Sequence, residues 1–341
     1  MRIATYNVEW FTNLFDEQGH LLMDDGWSGR QDVTRAQQIE ALGIVFTALD
    51  ADAIMVIEAP DENGKRSTVA ALETFAAAFG LRAKKALLGF RNDTQQEIAL
   101  LYDPEAVTAR HDPLGPETGK KGAEDAPRFD GVFRIDLDID ATEDMVRFSK
   151  PPLEVALETA KGTELRLIGA HLKSKAPHGA RGRDEVMRMS IANRRKQLAQ
   201  AIWLRRRVEG HLAAGDALIV LGDLNDGPGL DEYEHLFGRS SVEIIMGNGA
   251  EPCLYDPHAR EALGSRIGAA ATTSRFYLAN EKRYLQALLD YVMISQDLRG
   301  HDPQWRIWHP FNDVDCWSVP DLRAALLAAS DHFPVTLDID I

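Results

Sequence analysis

The sequence contains few cysteines and no long apolar run, and each shortage excludes a class of protein. Cys253 and Cys316 are its two cysteines, and neither has the CxxC or CxxH spacing of a zinc site. No disulfide framework or zinc site is therefore predicted. The most apolar stretches, residues 54–57 and 218–221, are far shorter than the ~20 residues that a membrane span needs. We expect no membrane-spanning segment.

Two further shortages concern location and charge. Residues 1–10 lack the apolar region and the small-residue cleavage site of a secretory signal, which predicts a cytoplasmic location. Only 38 Lys and Arg stand against 53 Asp and Glu, so the formal net charge is −15. Non-specific nucleic-acid affinity comes from neutralising phosphates with Lys and Arg. This balance therefore argues against a protein that coats polyanions.

The charge is nevertheless uneven along the chain. Residues 173–207 contain eleven basic residues and two acidic ones, a local balance of +9. Such a stretch in an acidic chain predicts either a phosphate-facing surface or a solvated helix face that is balanced by acidic neighbours.

Hydrophobic residues make up 45% of the chain, which is enough for a full core. Apolar segments typical of buried strands alternate with helical patterns, and no repeat or long linker divides them, so one domain over residues 1–341 is expected. The predicted helices cover residues 35–49, 67–79 and 185–212, and the last turns Arg188, Arg195 and Arg206 outward. Loops are predicted at residues 111–131, 176–182, 226–231, 247–273 and 300–320. The predicted strands are residues 3–8, 53–58, 97–102, 153–157, 165–171, 217–221, 289–295 and 333–341.

Polar side chains end several of these strands. They are Asn7, Glu58, His171, Asp223 and Asn225. Each one alone is typical of a turn or of a satisfied polar group. Their recurrence at strand ends, where α/β folds bind ligands, indicates a functional site.

Gly222 separates the last predicted strand from its polar end. It removes a side chain where the backbone could approach a ligand. If the chain stays extended beyond it, Asp223 and Asn225 project to the same side.

These motifs resemble the endonuclease/exonuclease/phosphatase superfamily, the metal-dependent phosphodiesterases related to deoxyribonuclease I, and are closest to its bacterial nuclease-like members. The resemblance implies a four-layer α/β sandwich of two packed mixed β-sheets flanked by helices. GDLN and SDHFPV are the most specific of the segments that carry it. In chain order the segments are TYNVEW (from Thr5), IE (Ile57), EIALLY (Glu97), GAHLKS (Gly169), GDLN (Gly222), LDYV (Leu289) and SDHFPV (Ser330).

The resemblance implies a divalent-metal site. Glu58 would be the principal ligand of Mg²⁺ or Mn²⁺, with Asn7 and Asp331 close to the metal and the phosphate. Hard oxygen ligands suit these ions. Asp223 would orient or deprotonate the attacking water, and Asn225 would hold a phosphate oxygen.

The resemblance also implies two imidazoles, each with a carboxylate behind it. His332 would face the scissile phosphate, with Asp290 on its other nitrogen, and Glu97 would orient His171. A carboxylate behind an imidazole fixes its tautomer and favours the cation. Which histidine would be the acid and which the base stays open.

The expected activity is hydrolysis of phosphoester bonds, most simply by a nuclease. Lys150 stands where many bacterial relatives have Arg, and it keeps the charge but not the bidentate fork. With Lys173, Lys175, Arg188 and Arg195 it would bind substrate phosphates. The alternative is a small or lipid phosphoester substrate. A non-catalytic scaffold is less expected because every site residue is retained, and no obligate protein partner is indicated.

Overall fold

The structure is a computed structural model that describes residues 1–137, 143–177, 179–227, 238–249, 252–264, 271–278 and 282–341. Parts of the predicted loops at residues 176–182, 226–231 and 247–273 lie outside these ranges. Within them, no helix is long and apolar enough to cross a membrane.

The described residues form fifteen strands and seven α-helices. The strands are β1 (Arg2–Asn7), β2 (Ala53–Ala59), β3 (Lys85–Leu88), β4 (Glu97–Tyr102), β5 (Val107–His111), β6 (Phe133–Ile135), β7 (Asp144–Val146), β8 (Leu153–Thr159), β9 (Glu164–His171), β10 (Leu218–Asp223), β11 (Ser274–Leu278), β12 (Arg283–Ala287), β13 (Asp290–Ile294), β14 (Gln304–Ile307) and β15 (Val335–Asp338). The α-helices are α1 (Arg35–Leu49), α2 (Thr68–Ala78), α3 (Arg183–Ala214), α4 (Ser241–Met246), α5 (Pro257–Gly264), α6 (Val314–Ser318) and α7 (Pro320–Ala329).

Two mixed sheets form the centre of the fold. The first has the order β14-β15-β1-β2-β4-β3 and the second β13-β10-β9-β8-β5. In each sheet one pair is parallel, β1 with β2 and β9 with β10, and the other pairs are antiparallel. The pairs β6–β7 and β11–β12 form separate two-stranded sheets.

Side-chain alternation divides the core into three apolar layers. Met55 of the first sheet and Leu221 of the second belong to the cluster between the sheets. Their neighbours on the opposite faces, Ile54 and Val220, belong to outer clusters formed with α1, α2 and α7 on one side and with α3, α4 and α5 on the other. This arrangement confirms the predicted four-layer α/β sandwich.

Local sequence signals set the ends of the long helices. Thr34 and Gln37 form a capping box, in which the Thr34 N–H donates to Gln37 Oε1 at 2.9 Å, so α1 begins at Arg35. Gly215 adopts the left-handed conformation with φ 79° and ends α3. Both signals are short-range, which is why these helices are predictable from sequence.

The eight predicted strands and three predicted helices are all confirmed, with shifts at their ends. Two loop predictions were wrong. The segment 300–320 contains β14 and α6, and the segment 247–273 contains α5. These elements are short, and β14 is at most half-buried, so they lack the long apolar runs on which the predictions depended.

The neighbouring strand is sufficient to require glycine at position 222. Its φ is 135°, and a Cβ added there would lie 2.0 Å from the carbonyl oxygen of Ala170 in β9. The close ligand approach expected at this residue stays a prediction.

We expect Gly222→Ala to destabilise the fold by roughly 2 kcal/mol or more, because backbone atoms of a central strand must move and φ is unfavourable for alanine. Chemical denaturation measures the effect. Gly210→Ala is the matched control, since Gly210 lies within α3 and a Cβ there meets nothing within 4 Å. It should stabilise the protein by about 0.5–1 kcal/mol. Equal midpoints for the two variants would contradict this account of Gly222.

Candidate active site

The layer between the sheets is apolar along its length and polar at one end. Asn7, His171, Asp223 and Asp290 each continue the strand face that lines this layer, and all four are buried. In the second sheet Asp223 pairs in register with His171 on one side and with Asp290 on the other. Because residues directly opposite each other share a face, their side chains converge.

Glu58 reaches the site through a β-bulge. Ile57 lines the layer between the sheets, so regular alternation would turn Glu58 toward the helices. Instead the register shifts between Ile57 and Ala59, and Glu58 has φ 61°. A bulge re-aims a side chain in this way, at the cost of local strain. Glu58 Oε1 consequently lies 3.9 Å from His171 Nε2.

His332 is held between two carboxylates. Its Nδ1 lies 2.7 Å from Asp290 Oδ2, and its Nε2 lies 3.9 Å from Asp223 Oδ2. Thr273 Oγ1 donates to the same Asp290 oxygen at 2.7 Å. Burial opposes the charged imidazole, but the two carboxylates outweigh it and raise the pKa of His332 well above its usual value. The two carboxylates therefore favour the cationic form of His332.

His171 lies in the opposite electrostatic environment. The Lys150 ammonium lies 3.2 Å from its Nδ1 and 3.3 Å from its Nε2. Burial and the positive charges of Lys150 and His332 lower the pKa of His171 well below its usual value. The site thus holds one neutral and one cationic imidazole.

Asp223 lies between these two rings. Its Oδ2 is 3.6 Å from His171 Nε2 and accepts a hydrogen bond from Asn7 Nδ2 at 3.0 Å. Burial raises the pKa of Asp223 to about 6, against the opposing effect of His332. The carboxylate is therefore basic enough to accept a proton near neutral pH.

Asn225 joins this network by a route that differs from the predicted one. The strand ends at Asp223, and Asn225 adopts the left-handed conformation with φ 49°. The expectation of an extended chain was wrong. The Asn225 amide still reaches the site, since its Nδ2 donates to Asp223 Oδ2 at 3.2 Å and to the carbonyl oxygen of Leu172 at 3.1 Å.

Glu97 does not orient His171, contrary to the expectation. Its neighbour Ile98 lines the layer between the sheets, so alternation turns Glu97 to the opposite face of β4. There its Oε2 accepts from Asn92 Nδ2 at 2.7 Å. The preceding residue, Gln96, faces the site instead and donates to Glu58 Oε2 at 2.6 Å.

The residues predicted to bind a cation fit one chemically. Asn7 Oδ1 is a buried acceptor that receives no hydrogen bond from any described residue. Burial raises the pKa of Glu58 to about 7, and the charges of Asp331 and Asp223 add to the rise although Lys150 opposes it. Crowded oxygen ligands that lack sufficient positive charge suit a hard divalent ion.

A second group could also hold a metal. One ligand atom each from Asp223, Asp290 and His332 lie within 4.8 Å of one another. A protonated imidazole has no lone pair for a metal, however. Only the neutral form of His332 could therefore bind a metal in this group, and the contact that the structure shows is the hydrogen bond between His332 Nδ1 and Asp290 Oδ2, 2.7 Å long.

These residues lie in a cleft of about 1010 Å³. Asn7, Glu58, Asp331 and the two histidines line it together with Lys150, Lys173 and Lys175. The hairpin β11–β12 and its following loop supply an apolar wall made of Phe276, Leu278, Leu285, Ala287 and Leu289.

Part of the predicted phosphate surface is neutralised within the protein. Lys175 Nζ pairs with Asp226 Oδ1 at 2.7 Å, and Arg195 Nη2 pairs with Asp144 Oδ2 at 2.9 Å. In each pair a carboxylate already balances the charge of the cation, which argues against the predicted contacts of Lys175 and Arg195 with a substrate phosphate. Arg188 is exposed on α3 but is not part of the cleft lining.

Lys196 was not predicted as a site residue, although it extends the positive charge of the cleft. Burial lowers the pKa of Lys173, and the charge of Lys196 adds to this effect. Burial also lowers the pKa of Lys150, and the charge of Lys173 adds to this effect, although Glu58 and Asp223 oppose it. We call Lys150, Lys173 and Lys196 the lysine row. Its members lie on three elements or loops, so no sequence motif could reveal it.

A four-layer sandwich with this cluster of acids, amides and imidazoles at one end defines a class of phosphoester hydrolases. The chain belongs to the Endonuclease/Exonuclease/phosphatase family, whose model matches residues 4–332. It is therefore a phosphoester hydrolase, as predicted. No curated protein sequence matches it significantly.

Solved structures share the fold at low sequence identity. Truncated TDP2 of Caenorhabditis elegans is 15% identical with a TM-score of 0.51, over 100% of this chain and 97% of that one. The 3' phosphatase NExo from Neisseria, bound to product DNA hairpin, is 13% identical with a TM-score of 0.50, over 100% of both chains. The mannosyl-6-phosphatase of Bacteroides thetaiotaomicron is also 13% identical, with a TM-score of 0.50 over 100% of both chains. These similarities concern the fold.

We expect Asp223→Asn to lower turnover ~100-fold or more with little change in KM or Tm, because only proton acceptance is lost. Wild-type turnover should fall as pH decreases through about 6, the pKa of Asp223, since the protonated carboxyl cannot accept a proton. Glu97→Gln is the matched control, a buried carboxyl that faces away from the cleft, and should keep the wild-type pH profile. A folded Asp223→Asn protein within tenfold of wild-type turnover would exclude this role.

Proposed function

We propose that this chain is a divalent-metal-dependent phosphodiesterase that cleaves nucleic acid by in-line attack of an activated water. The observation that carries the proposal is the position of Asp223 between a neutral and a cationic imidazole, beside oxygen ligands that fit a cation. Such a site has a proton acceptor, a proton donor and a place for the charge of the phosphate.

In the proposed mechanism Asp223 orients the attacking water and accepts its proton, and the amide of Asn225 holds Asp223 and a phosphate oxygen. His332, kept cationic by Asp290, stabilises the negative charge of the transition state and can donate to the leaving oxygen. His171, in its neutral form, would form a hydrogen bond with the phosphate.

Glu58, Asn7 and Asp331 would hold Mg²⁺ or Mn²⁺. The ion would supply positive charge to the phosphate oxygens and to the leaving group. Gln96, hydrogen-bonded to Glu58, would keep that carboxylate directed at the ion.

The lysine row supports a nucleic-acid substrate. The Lys173 ammonium makes no hydrogen bond or ion pair with any described residue, and Lys196 Nζ donates only to the uncharged hydroxyl of Ser149, at 3.2 Å. Like charges that act on each other in a partly buried place are stabilised by an anion. Successive backbone phosphates would satisfy them.

The apolar wall of the cleft favours a second candidate substrate, a small or lipid phosphoester. Phe276 and its neighbours on the β11–β12 hairpin could contact an acyl chain as well as a base. Known chains of this fold include both a DNA-bound 3' phosphatase and a mannosyl-6-phosphatase. The family match excludes the third expectation, a non-catalytic scaffold. One domain over residues 1–341 and a cytoplasmic location remain predictions.

We expect Glu58→Gln to raise the concentration of Mg²⁺ or Mn²⁺ needed for half-maximal turnover ~10-fold or more, because an anionic ligand is lost. Chelation of wild-type protein should abolish turnover. Calorimetric titration with Mn²⁺ measures the affinity independently of activity. Unchanged Mn²⁺ affinity in Glu58→Gln would remove Glu58 from the metal site.

We expect the double variant Lys173→Ala/Lys196→Ala to bind an oligonucleotide more weakly and to lower the salt slope of binding by about two units, one for each lost phosphate contact. Hydrolysis of a chromogenic diester should fall much less. Arg188→Ala is the control, because Arg188 is an exposed basic residue on the helix of Lys196 and, unlike Lys196, does not act on the charge of Lys173. An unchanged salt slope in the double variant, with the diester hydrolysed normally, would favour the small-phosphoester alternative.

A further inference from the structure

The β11–β12 hairpin has a second face that the cleft does not use. Phe276 and Leu285 lie opposite each other in register, and both line the cleft. Arg275 and Tyr277 alternate with Phe276, so their side chains lie on the outer face. There the rings of Tyr277 and Tyr284 pack with centroids 5.1 Å apart.

The outer face continues into α6 as a row of rings and guanidinium groups. The Arg275 guanidinium carbon lies 3.3 Å from the Tyr284 ring centroid and 5.5 Å from that of Phe311. The Phe311 and Trp317 centroids are 6.3 Å apart, and the guanidinium carbon of Arg323 lies 4.4 Å from the Trp317 ring. We call this set the aromatic row, which comprises Tyr277, Tyr284, Arg275, Phe311, Trp317 and Arg323.

The rings of the aromatic row are open to a ligand. Tyr284, Phe311 and Trp317 are 48%, 39% and 53% exposed. Exposed aromatic side chains that form one continuous row indicate an interaction surface more strongly than scattered ones do.

The charge of the aromatic row indicates an anionic ligand. Arg275 and Arg323 form no ion pair with a carboxylate among the described residues, although the chain has a net charge of −15. The nearby Arg306, in contrast, pairs with Asp313 at 2.7 Å and with Asp315 at 3.2 Å. The two guanidinium groups of the row therefore keep their charge for a ligand.

The aromatic row is also continuous with the candidate active site. The Arg275 N–H donates to the carbonyl oxygen of Asp331 at 2.7 Å. Ser274 forms a β-bridge with His332, and the Phe276 ring packs edge-on against that imidazole at 5.4 Å. A chain that leaves the cleft across the hairpin would meet the row within a few residues of the reacting group.

We infer that the aromatic row binds a single-stranded nucleic-acid segment that flanks the reacting phosphodiester, an inference that rests on the proposed function. Bases of a single strand can stack on exposed rings, and every base has a face to stack, whereas a duplex hides its base faces. Guanidinium groups between the rings can stack on bases and contact phosphates at the same time. A duplex can use the charges but not the rings.

The double variant Phe311→Ala/Trp317→Ala tests the inference. Fluorescence anisotropy of the chelated full-length chain measures the binding of a labelled single-stranded oligonucleotide and of its blunt duplex. We expect Kd for the single strand to rise ~10-fold or more, and Kd for the duplex to change less than about twofold. The ratio of single-strand to chromogenic-diester hydrolysis should fall in parallel.

Val314→Ala is the matched control, because Val314 is 80% exposed on the same helix but has no ring, and it should leave both Kd values unchanged. Melting temperatures show that each variant is folded. Equal weakening for single strand and duplex, or no weakening, would overturn the inference. The inference would also be overturned if wild type bound phosphatidylserine vesicles and the double variant lost this binding but still bound the oligonucleotide.

The inference and the proposed function fail in different ways. If wild type cleaves the oligonucleotide and the double variant does so equally well, the aromatic row is rejected and the proposed function stands. If wild type neither binds nor cleaves any oligonucleotide but hydrolyses a small diester, both are rejected.

Discussion

The packing of two sheets face to face is the constraint on which the rest of the structure depends. It makes every second residue of the central strands apolar, as Met55, Leu221 and Val292 show. At one end the same strand faces continue into Asn7, His171, Asp223 and Asp290, where further apolar residues would have closed the layer. The site is thus the open end of the core. Its side chains are held by strands whose registers the apolar layer has already fixed.

This origin explains why the site can hold two histidines in opposite protonation states. Both imidazoles are buried, and Asp223 Oδ2 lies 3.6 Å from His171 Nε2 and 3.9 Å from His332 Nε2, so burial does not distinguish them. The difference lies behind each ring: Asp290 contacts His332, whereas Lys150 contacts His171. Asp290 and Lys150 therefore separate the pKa values of two chemically identical imidazoles. Separated pKa values of this kind allow a site to hold an acid and a base at one pH.

How much of this could be predicted depends on the range of the interactions involved. The strands and the polar groups at their ends follow from local apolar patterns, and the motifs around Asp223 and His332 carry the family. Glu58 and Glu97 show the limit, because each adjoins an apolar strand segment. Regular alternation turns Glu97 away from the cleft, whereas a β-bulge turns Glu58 into it. Nothing local distinguishes them. The partners of Lys175 and Arg195 lie 51 residues away in sequence, and only the tertiary fold brings them together.

The basic stretch shows why local charge is a weak guide to function in an acidic chain. Arg194 pairs with Asp226 and Arg207 with Glu154, and all four side chains are buried. These cations attach α3 to the second sheet and its loops, and removing one partner would leave an uncompensated buried charge. The positive charge available to a ligand is set instead by what is left without a carboxylate. Lys173 and Arg275 belong to this remainder: Lys173 lines the cleft, and Arg275 lies on the hairpin that supplies its apolar wall. An excess of acid elsewhere repels polyanions from the remaining surface, so it favours binding at this place over non-specific coating.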